Sequence, residues 1–143
     1  MDRRYRFRRI VNFVNLTTPL GLLIAMVGGA TRRSGPYGLV LAHGYRYRFP
    51  IAGAFTVGNV VITRRDHLDD TLIGHENRHA TQWACCAGLP LLPLYLVAML
   101  VSVVVCGDQA SYNPFERLAG LDEGGYRRVP PRWRGRADGS PRG

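Results

Sequence analysis

Apolar and polar residues alternate with a helical period in residues 68–86. The side chains that recur every three or four positions along one side are Leu72, His75, His79, Gln82, Trp83 and Cys86. Asp69, Asp70 and Thr71 provide capping oxygens and negative charge at the start, and a Gly-Leu-Pro sequence follows the end. The pattern therefore predicts a single helix with clear boundaries.

A different pattern, of β-branched and aromatic runs separated by glycine and proline, occupies residues 37–63. The runs cover residues 38–42, residues 45–49, Ala54–Val57 and Val60–Thr63. Such runs predict strands, so we expect a small antiparallel sheet before the helix, in a domain of the α+β class. An edge strand of this sheet could bind an extended peptide by strand addition.

Two further segments are apolar. The first, residues 10–31, contains Thr18-Pro19, which predicts a helix of about ten residues ending at Val27; a signal peptide is the alternative. The second, residues 88–106, is almost long enough to cross a bilayer, which needs about 20 residues. It is followed by Asn113-Pro114, a cap and a first helical residue, and by Gly120, which predict a short helix bearing Glu116.

The predicted helix of residues 68–86 contains the run His75-Glu76-Asn77-Arg78-His79. Two histidines four residues apart share one helix face, and both imidazoles can then reach one zinc ion. Glu76 projects beside the metal, where it could accept a proton from water whose pKa zinc has lowered to about 7. A solvated helix with two surface histidines is the plainer explanation of the same five residues.

A zinc site with an open position needs a third protein ligand. Glu116 is one candidate, although the helix dipole alone favours a carboxylate in a first turn. Glu123 lies among glycines in an expected turn, and Asp108 follows the apolar segment. If that segment crossed a membrane about 30 Å thick, His79 and Glu116 would lie on opposite sides and could not share a metal.

A helix with H-E-x-x-H, followed by a helix that begins N-x-x-E-x-x-A, resembles the gluzincin type of zincin metallopeptidase. More specifically, the chain is similar to small bacterial zincin-like proteins of uncharacterised function, and the resemblance covers Asp69 to Cys86 and Tyr112 to Gly120. It implies a zincin-like minimal core: sheet, H-E-x-x-H helix, apolar helix and short Glu-bearing helix. It further implies Zn²⁺ as cofactor, His75, His79 and Glu116 as its ligands, and Glu76 as the general base.

Length and charge limit the remaining choices. A chain of 143 residues predicts one domain, here residues 1–128, with a disordered basic tail of Pro, Gly and Arg at 129–143. The net charge is +9, and all 19 basic residues are arginines; they are spread along the chain, with one group at positions 3–9 and another at positions 127–136. Basic ends around an apolar body favour an anionic membrane surface as a partner. Arginines alternate with the aromatic residues Tyr5, Phe7, Tyr45, Tyr47 and Phe49. This alternation resembles a surface on which nucleic-acid bases stack, but it is also typical of a strand with two different faces, and we favour the strand.

Three cysteines without zinc-finger or disulfide spacing favour buried thiols in a reducing compartment. We therefore expect a cytoplasmic or membrane-associated protein with its site on the cytoplasmic side. The sequence favours a zinc-dependent peptidase acting on a peptide or protein. The alternatives are a catalytically silent, membrane-associated zinc-binding or scaffold protein, and a basic membrane or nucleic-acid binder in which H-E-x-x-H is coincidental.

Overall fold

The computed structural model describes residues 2–50 and 52–134. Its helices are α1 (Arg3–Val14), α2 (Thr17–Val27), α3 (Asp70–Cys85), α4 (Leu91–Cys106) and α5 (Pro114–Ala119). Its strands are β1 (Thr31–Ser34), β2 (Val40–His43), β3 (Ala54–Val57) and β4 (Val60–Thr63). This content confirms the α+β class. The chain divides into two compact units, residues 1–91 and residues 92–143.

The four strands of the first unit form one sheet in the order β1-β2-β4-β3. The β1–β2 and β3–β4 pairs are antiparallel, whereas β2 and β4 are parallel, so the sheet is mixed and not antiparallel throughout as predicted. The reason is the path of the chain after β2. After β2 the chain continues to β3, which lies at the edge of the sheet. The tight β3–β4 hairpin then places β4 between β2 and β3, where β4 runs parallel to β2.

The two faces of the sheet are covered by different helices. Val61 and Ala54 point to the face that packs on α3, in a cluster with Leu39, Leu68, Ile73 and Ala80. Val60 and Ile62 point to the opposite face, in a cluster with Ala25 of α2 and Ala42. This period of two is what a sheet buried on both sides requires. Helices α2 and α3 therefore lie on opposite sides of the sheet.

The β3–β4 hairpin is closed by Gly58 and Asn59, and it is docked on the start of α2. Gly58 has φ of +62°, and a Cβ at this position would lie 2.4 Å from the backbone nitrogen of Thr18. The hydroxyl of Thr18 accepts a 3.1 Å hydrogen bond from the backbone N–H of Asn59. Glycine is required here both for the left-handed backbone and for the close approach of the two segments.

Residues 3–14 form helix α1, so the strand predicted from the alternation of arginine with Tyr5 and Phe7 is wrong. Asp2 caps the helix by accepting a 3.0 Å hydrogen bond from the backbone N–H of Arg4. The inner side of α1 is polar: Arg8 and Asn12 are 4% and 0% exposed. Residues 45–49 are also not a strand, and β1, which the sequence pattern did not indicate, is exposed along its whole length.

Arg8 fixes α1 to three other parts of the first unit. Its Nε donates to Oδ1 of Asn59 at 3.0 Å, and its Nη2 donates to the carbonyl of Tyr37 at 2.8 Å. Its Nη1 donates to the carbonyl and side-chain oxygen of Asn77, at 3.1 and 2.5 Å, and to Thr81. Burial lowers the pKa of this guanidinium, yet neutral oxygens satisfy its donors. Helix α3 is therefore held by hydrogen bonds as well as by its apolar face.

Helix α3 begins and ends close to where the sequence predicts. Asp69 is its N-cap and accepts a 2.7 Å hydrogen bond from the backbone N–H of Leu72. The chain leaves the helix through Ala87 and Gly88, both with positive φ. The helix predicted to end at Val27 is also present, as α2, although its preceding residue Leu16 has no side-chain cap.

In the second unit, the apolar segment forms α4 and the predicted Glu-bearing helix forms α5. Asn113 is the N-cap of α5, accepting a 3.0 Å hydrogen bond from Phe115, and Pro114 is its first residue, as predicted. Within residues 2–50 and 52–134, no single helix is both long and apolar enough to cross a membrane; α1 and α2 together meet the criteria of length and composition but are bent by 75°. Residues 135–143 of the predicted tail lie outside the described residues.

The cysteines are all free thiols, and they differ in burial. Cys106, at the end of α4, is buried, and Cys86 is half-buried. Cys85 is exposed, because the last turn of α3 presents it to the outside. The expectation of three buried thiols is therefore wrong for Cys85.

Candidate metal centre

The two histidines of α3 point their outer ring nitrogens at each other. The Nε2 atoms of His75 and His79 are 3.0 Å apart, and the two rings meet edge to face with centroids 4.6 Å apart. His75 is 2% exposed and His79 is half-buried. Two nitrogens on one tetrahedral zinc ion lie about 3.3 Å from each other, given Zn–N bonds of about 2.05 Å. The pair is therefore close to the separation that a shared metal needs.

Gln82, one turn after His79, fixes the orientation of that ring. Its Oε1 lies 2.8 Å from Nδ1 of His79. Because an amide oxygen can only accept, Nδ1 donates this hydrogen bond, and in the neutral imidazole the lone pair then lies on Nε2. Metal-ligating histidines commonly donate their second nitrogen to an oxygen in this way. Gln82, three residues after the H-E-x-x-H motif, thus has a defined structural role.

Glu116 lies in the first turn of α5 and is 2% exposed. Asn113 and Pro114 fix the start of this short helix, and thereby the position of the Glu116 carboxylate in its first turn. The hydroxyl of Tyr95, on α4, donates a hydrogen bond to Oε1 of Glu116. A buried carboxylate is costly without such partners, so the helix dipole by itself is an incomplete explanation of this residue.

The structure groups His75, His79 and Glu116. Each offers one ligand atom, and these atoms all lie within 4.8 Å of one another. Two imidazoles and one carboxylate, largely shielded from water, are donors of the kind that transition-metal ions bind. The residues present therefore fit a metal ion, and this group could hold one. Which metal it would be is a separate question.

Glu76 is 3% exposed and points toward the sheet side of α3. Its Oε2 accepts a 2.6 Å hydrogen bond from the hydroxyl of Thr56 on β3. The carbonyl of Thr56 accepts in turn a 2.7 Å hydrogen bond from the indole nitrogen of Trp83 on α3. One residue of the sheet is thus clamped between two residues of the H-E-x-x-H helix. This arrangement fixes the carboxylate of Glu76 relative to the helix that bears it.

Strand β3 lies at one edge of the sheet, as strand addition to an extended peptide would require. Val57 pairs with Val60 across the two-residue turn, and Thr56 pairs with Val61. Hydrogen-bonded and non-hydrogen-bonded pairs alternate along an antiparallel hairpin. The pair Val57–Val60 next to the turn is hydrogen-bonded, so the pair Thr56–Val61 is not, and the backbone groups of Thr56 point away from β4. Its carbonyl is taken by Trp83, and an added strand would have to use other groups of this edge.

Of the other acidic candidates, Asp108 has a structural explanation. Oδ1 of Asp108 accepts hydrogen bonds from the hydroxyl and backbone N–H of Ser111, both at 2.7 Å, and from the backbone N–H of Ala110 at 3.1 Å. Burial raises the pKa of Asp108, but these hydrogen bonds outweigh it and leave the pKa below its ordinary value. Asp108 and Glu123 are outside the group formed by the two histidines and Glu116.

Sequence reasoning missed Thr56 and Tyr95, the residues that hold Glu76 and Glu116. Thr56 is an ordinary β-branched strand residue, and Tyr95 is one aromatic residue in an apolar helix. The only indication is that hydroxyl residues occur in two largely apolar runs: Thr56 in AFTV, and Tyr95 and Ser102 in LLPLYLVAMLVSVVVC. Buried hydroxyls need partners, but the sequence does not say which.

No protein-family model, curated protein or solved structure matches this chain. The resemblance to gluzincins consequently depends on the residues of α3 and α5 alone. Membership of that group stays a prediction.

Proposed function

We propose that this protein is a zinc-dependent peptidase that hydrolyses peptide bonds with an activated water molecule. The observation that supports this proposal best is the grouping of His75, His79 and Glu116, with the buried Glu76 directly after His75 in the chain. Two histidines and a glutamate are a donor set found in catalytic zinc sites, which keep their fourth position open. We choose zinc over other metals because two histidines and a glutamate match the ligands of catalytic zinc sites.

In this proposal each residue has a separate task. His75, His79 and Glu116 hold the metal, while Gln82 and Tyr95 orient two of these ligands. A bound zinc ion supplies Lewis-acid chemistry, lowering the pKa of water from 15.7 to about 7 and polarising a carbonyl. Glu76 takes a proton from the attacking water and delivers it to the leaving amine, as a general base and then a general acid. Thr56 keeps the Glu76 carboxylate in place during both transfers.

The substrate we propose is a peptide in an extended conformation. Strand β3 is the sheet edge nearest to Glu76, since Thr56 of that strand contacts the Glu76 carboxylate. Ala54, two residues before Thr56, presents its backbone groups to the same side, because alternate residues of a strand do so. These groups can pair with a peptide main chain without displacing the indole of Trp83. Main-chain pairing of this kind gives little side-chain selectivity.

The metal is tested by measuring zinc in the purified protein with elemental mass spectrometry. We expect about one zinc per chain in the wild type, as a site with three protein ligands would hold. The His79→Ala variant should lose it, whereas His67→Ala, which removes an exposed histidine of the same chain, should keep it. Equal zinc in all three proteins, or none in the wild type after reconstitution, would overturn the zinc site.

The reaction is tested with a peptide library, using mass spectrometry to detect new termini. We expect cleavage by the zinc-loaded wild type and a loss of about 10²- to 10⁴-fold in Glu76→Gln, which removes the general base. The zinc content of Glu76→Gln should equal that of the wild type. Zinc binding without any cleavage that depends on Glu76 would contradict the peptidase and would favour a catalytically silent zinc-binding protein.

A further inference from the structure

Helices α1 and α2 expose a large number of apolar side chains. Together with Leu16 at the bend between them, they carry eight apolar side chains that are between 51% and 73% exposed: Phe7, Ile10, Phe13, Val14, Leu16, Leu23, Met26 and Val27. We call these eight residues the α1–α2 apolar surface. Soluble monomers rarely expose apolar patches of more than a few hundred Å², and larger ones mark sites of interaction. Eight such side chains on two neighbouring helices are a candidate site for a partner of matching chemistry.

The same helices supply a cluster of positive charge at one end of this surface. Arg3, Arg4 and Arg6 are exposed near the start of α1, and no acidic residue occurs between positions 3 and 27. Arg3, Phe7, Ile10 and Val14 follow each other at helical spacings of four, three and four, so they form one stripe. The exposed face of α1 is thus cationic in its first turns and apolar in its last turns.

The hydrogen bonds and packing of α1 and α2 keep both helices in the first unit. Asn12 donates to the carbonyl of Ala80 at 2.9 Å, and Arg8 bonds to Asn59 and Asn77. Gly21 of α2 is packed closely on the β3–β4 hairpin. A straight membrane span made from both helices would have to break these contacts and remove the 75° bend. Only their outer surface is available to a partner.

We propose that the α1–α2 apolar surface binds the face of an anionic lipid bilayer. The apolar side chains near the bend, such as Phe13 and Leu16, enter the boundary between headgroups and acyl chains. The arginines of the first turns remain at the level of the lipid phosphates. Interfacial helices bind in this way, with apolar burial and attraction to anionic lipid acting together.

Two other occupants fit the surface less well. A second copy of this chain would bring two sets of arginines, each from a protein of net charge +9, toward one another. A nucleic acid would match the arginines but would leave the eight apolar side chains in water. Helix α4 also exposes apolar residues, among them Leu92, Val97 and Val104, but no arginine lies within it or in its first flanking residues. Arg132 lies beside Gly107 at the end of α4, but one arginine attracts lipid phosphates less than the three at the start of α1.

The test measures binding of the full-length protein to vesicles by co-sedimentation. Phosphatidylcholine vesicles are compared with vesicles that also contain phosphatidylglycerol. We expect binding to the anionic vesicles that weakens with salt. Phe13→Ser should lower the partition coefficient by about tenfold, the effect of keeping one aromatic side chain out of the lipid. Phe49→Ser, which removes an exposed phenylalanine elsewhere in the same unit, should leave it unchanged.

The charge is tested separately with the double variant Arg3→Gln, Arg6→Gln. It should lose most of the preference for anionic vesicles, whereas Arg32→Gln, Arg33→Gln, an equal change of charge on exposed strand β1, should keep it. Unchanged helicity by circular dichroism shows that the variants fold. Three results would each overturn the proposal. The test and control variants could lose binding equally, the protein could bind both vesicle types equally, or sedimentation velocity could show a dimer that Phe13→Ser dissociates.

Discussion

The hydroxyl of Thr56 donates a 2.6 Å hydrogen bond to Oε2 of Glu76. The two residues come from different elements, the edge strand β3 and helix α3, and both are buried. A carboxylate that moves a proton has to be held within a fraction of an ångström of its working position. Thr56 is therefore a positioning residue for Glu76 in the function that we propose.

We expect Thr56→Val to reduce peptide hydrolysis by about tenfold to hundredfold, because the carboxylate loses the only hydroxyl that β3 offers it. The zinc content should not change, since neither His75 nor His79 contacts Thr56 in the interactions described above. Thr63→Val is the matched control: Thr63 is buried in the same sheet, but its hydroxyl donates to the carbonyl of Gly53. Equal rates for Thr56→Val and wild type would contradict this role.

Tyr95 is expected to matter for metal affinity. Tyr95→Phe removes the hydroxyl that donates to Oε1 of Glu116 and preserves the ring. Loss of such an outer partner typically weakens metal binding by about 10- to 100-fold. Competition with a zinc chelator of known affinity measures the change. Tyr112→Phe, which removes another hydroxyl from the second unit, should bind zinc like the wild type. An unaltered affinity in Tyr95→Phe would show that Glu116 needs no such support.

Arg8 is expected to contribute strongly to the stability of the first unit. Arg8→Met preserves the volume of the stem but leaves buried acceptors of Asn59, Asn77 and Tyr37 without this donor. Each buried polar group left unsatisfied costs about 1–3 kcal/mol, so we expect a loss of about 2–4 kcal/mol in the free energy of unfolding. Urea denaturation measures it. Arg6→Met, at an exposed position of the same helix, should change stability by less than about 0.5 kcal/mol.

Asp108 predicts a specific dependence of stability on pH. Its folded-state pKa is below the ordinary value, so its ionised form stabilises the fold above about pH 4, the usual pKa of an aspartate. This contribution is lost as the pH falls through the folded-state pKa. Asp108→Asn should therefore be less stable than wild type at pH 7, and the gap should narrow only below about pH 4.

The measurement for Asp108 is the urea midpoint between pH 7 and pH 2.5. Asp122→Asn removes an equal charge from an exposed pair with Arg128 and corrects for the general effect of one carboxylate on a cationic protein. A gap between wild type and Asp108→Asn that stays constant across the whole range would show that the Ser111 hydrogen bonds do not depend on the charge.

Helices α3 and α5 and strands β3 and β4 could be predicted from the sequence because their boundaries are local. The caps Asp69 and Asn113 each accept a hydrogen bond from a backbone N–H two or three residues later, and Gly58 lies in the short turn that joins β3 to β4. Helix α1 could not be predicted from its pattern. Its inner side is polar, and it is held by bonds to residues far along the chain, so alternating arginines and aromatic residues looked like a strand.

The same distinction applies to the candidate site. The spacing of His75, Glu76 and His79 is local and could be interpreted directly, and the cap before Glu116 indicated a helix around it. Thr56 and Tyr95 are 20 and 21 residues from the carboxylates that they bond. No spacing rule connects such residues, because the fold and not the local chain brings them together.

The bonds between α1 and α3 also have a consequence for synthesis on the ribosome. Arg8 and Asn77 are 69 residues apart, and Asn12 and Ala80 are 68 apart. At about 5–20 residues per second, the partners of α1 are made roughly 4–14 s after α1 itself. During that interval Arg8 can already bond to Tyr37 and then to Asn59, but Arg8 and Asn12 still lack their partners on α3. The first unit is completed only when the H-E-x-x-H helix has emerged.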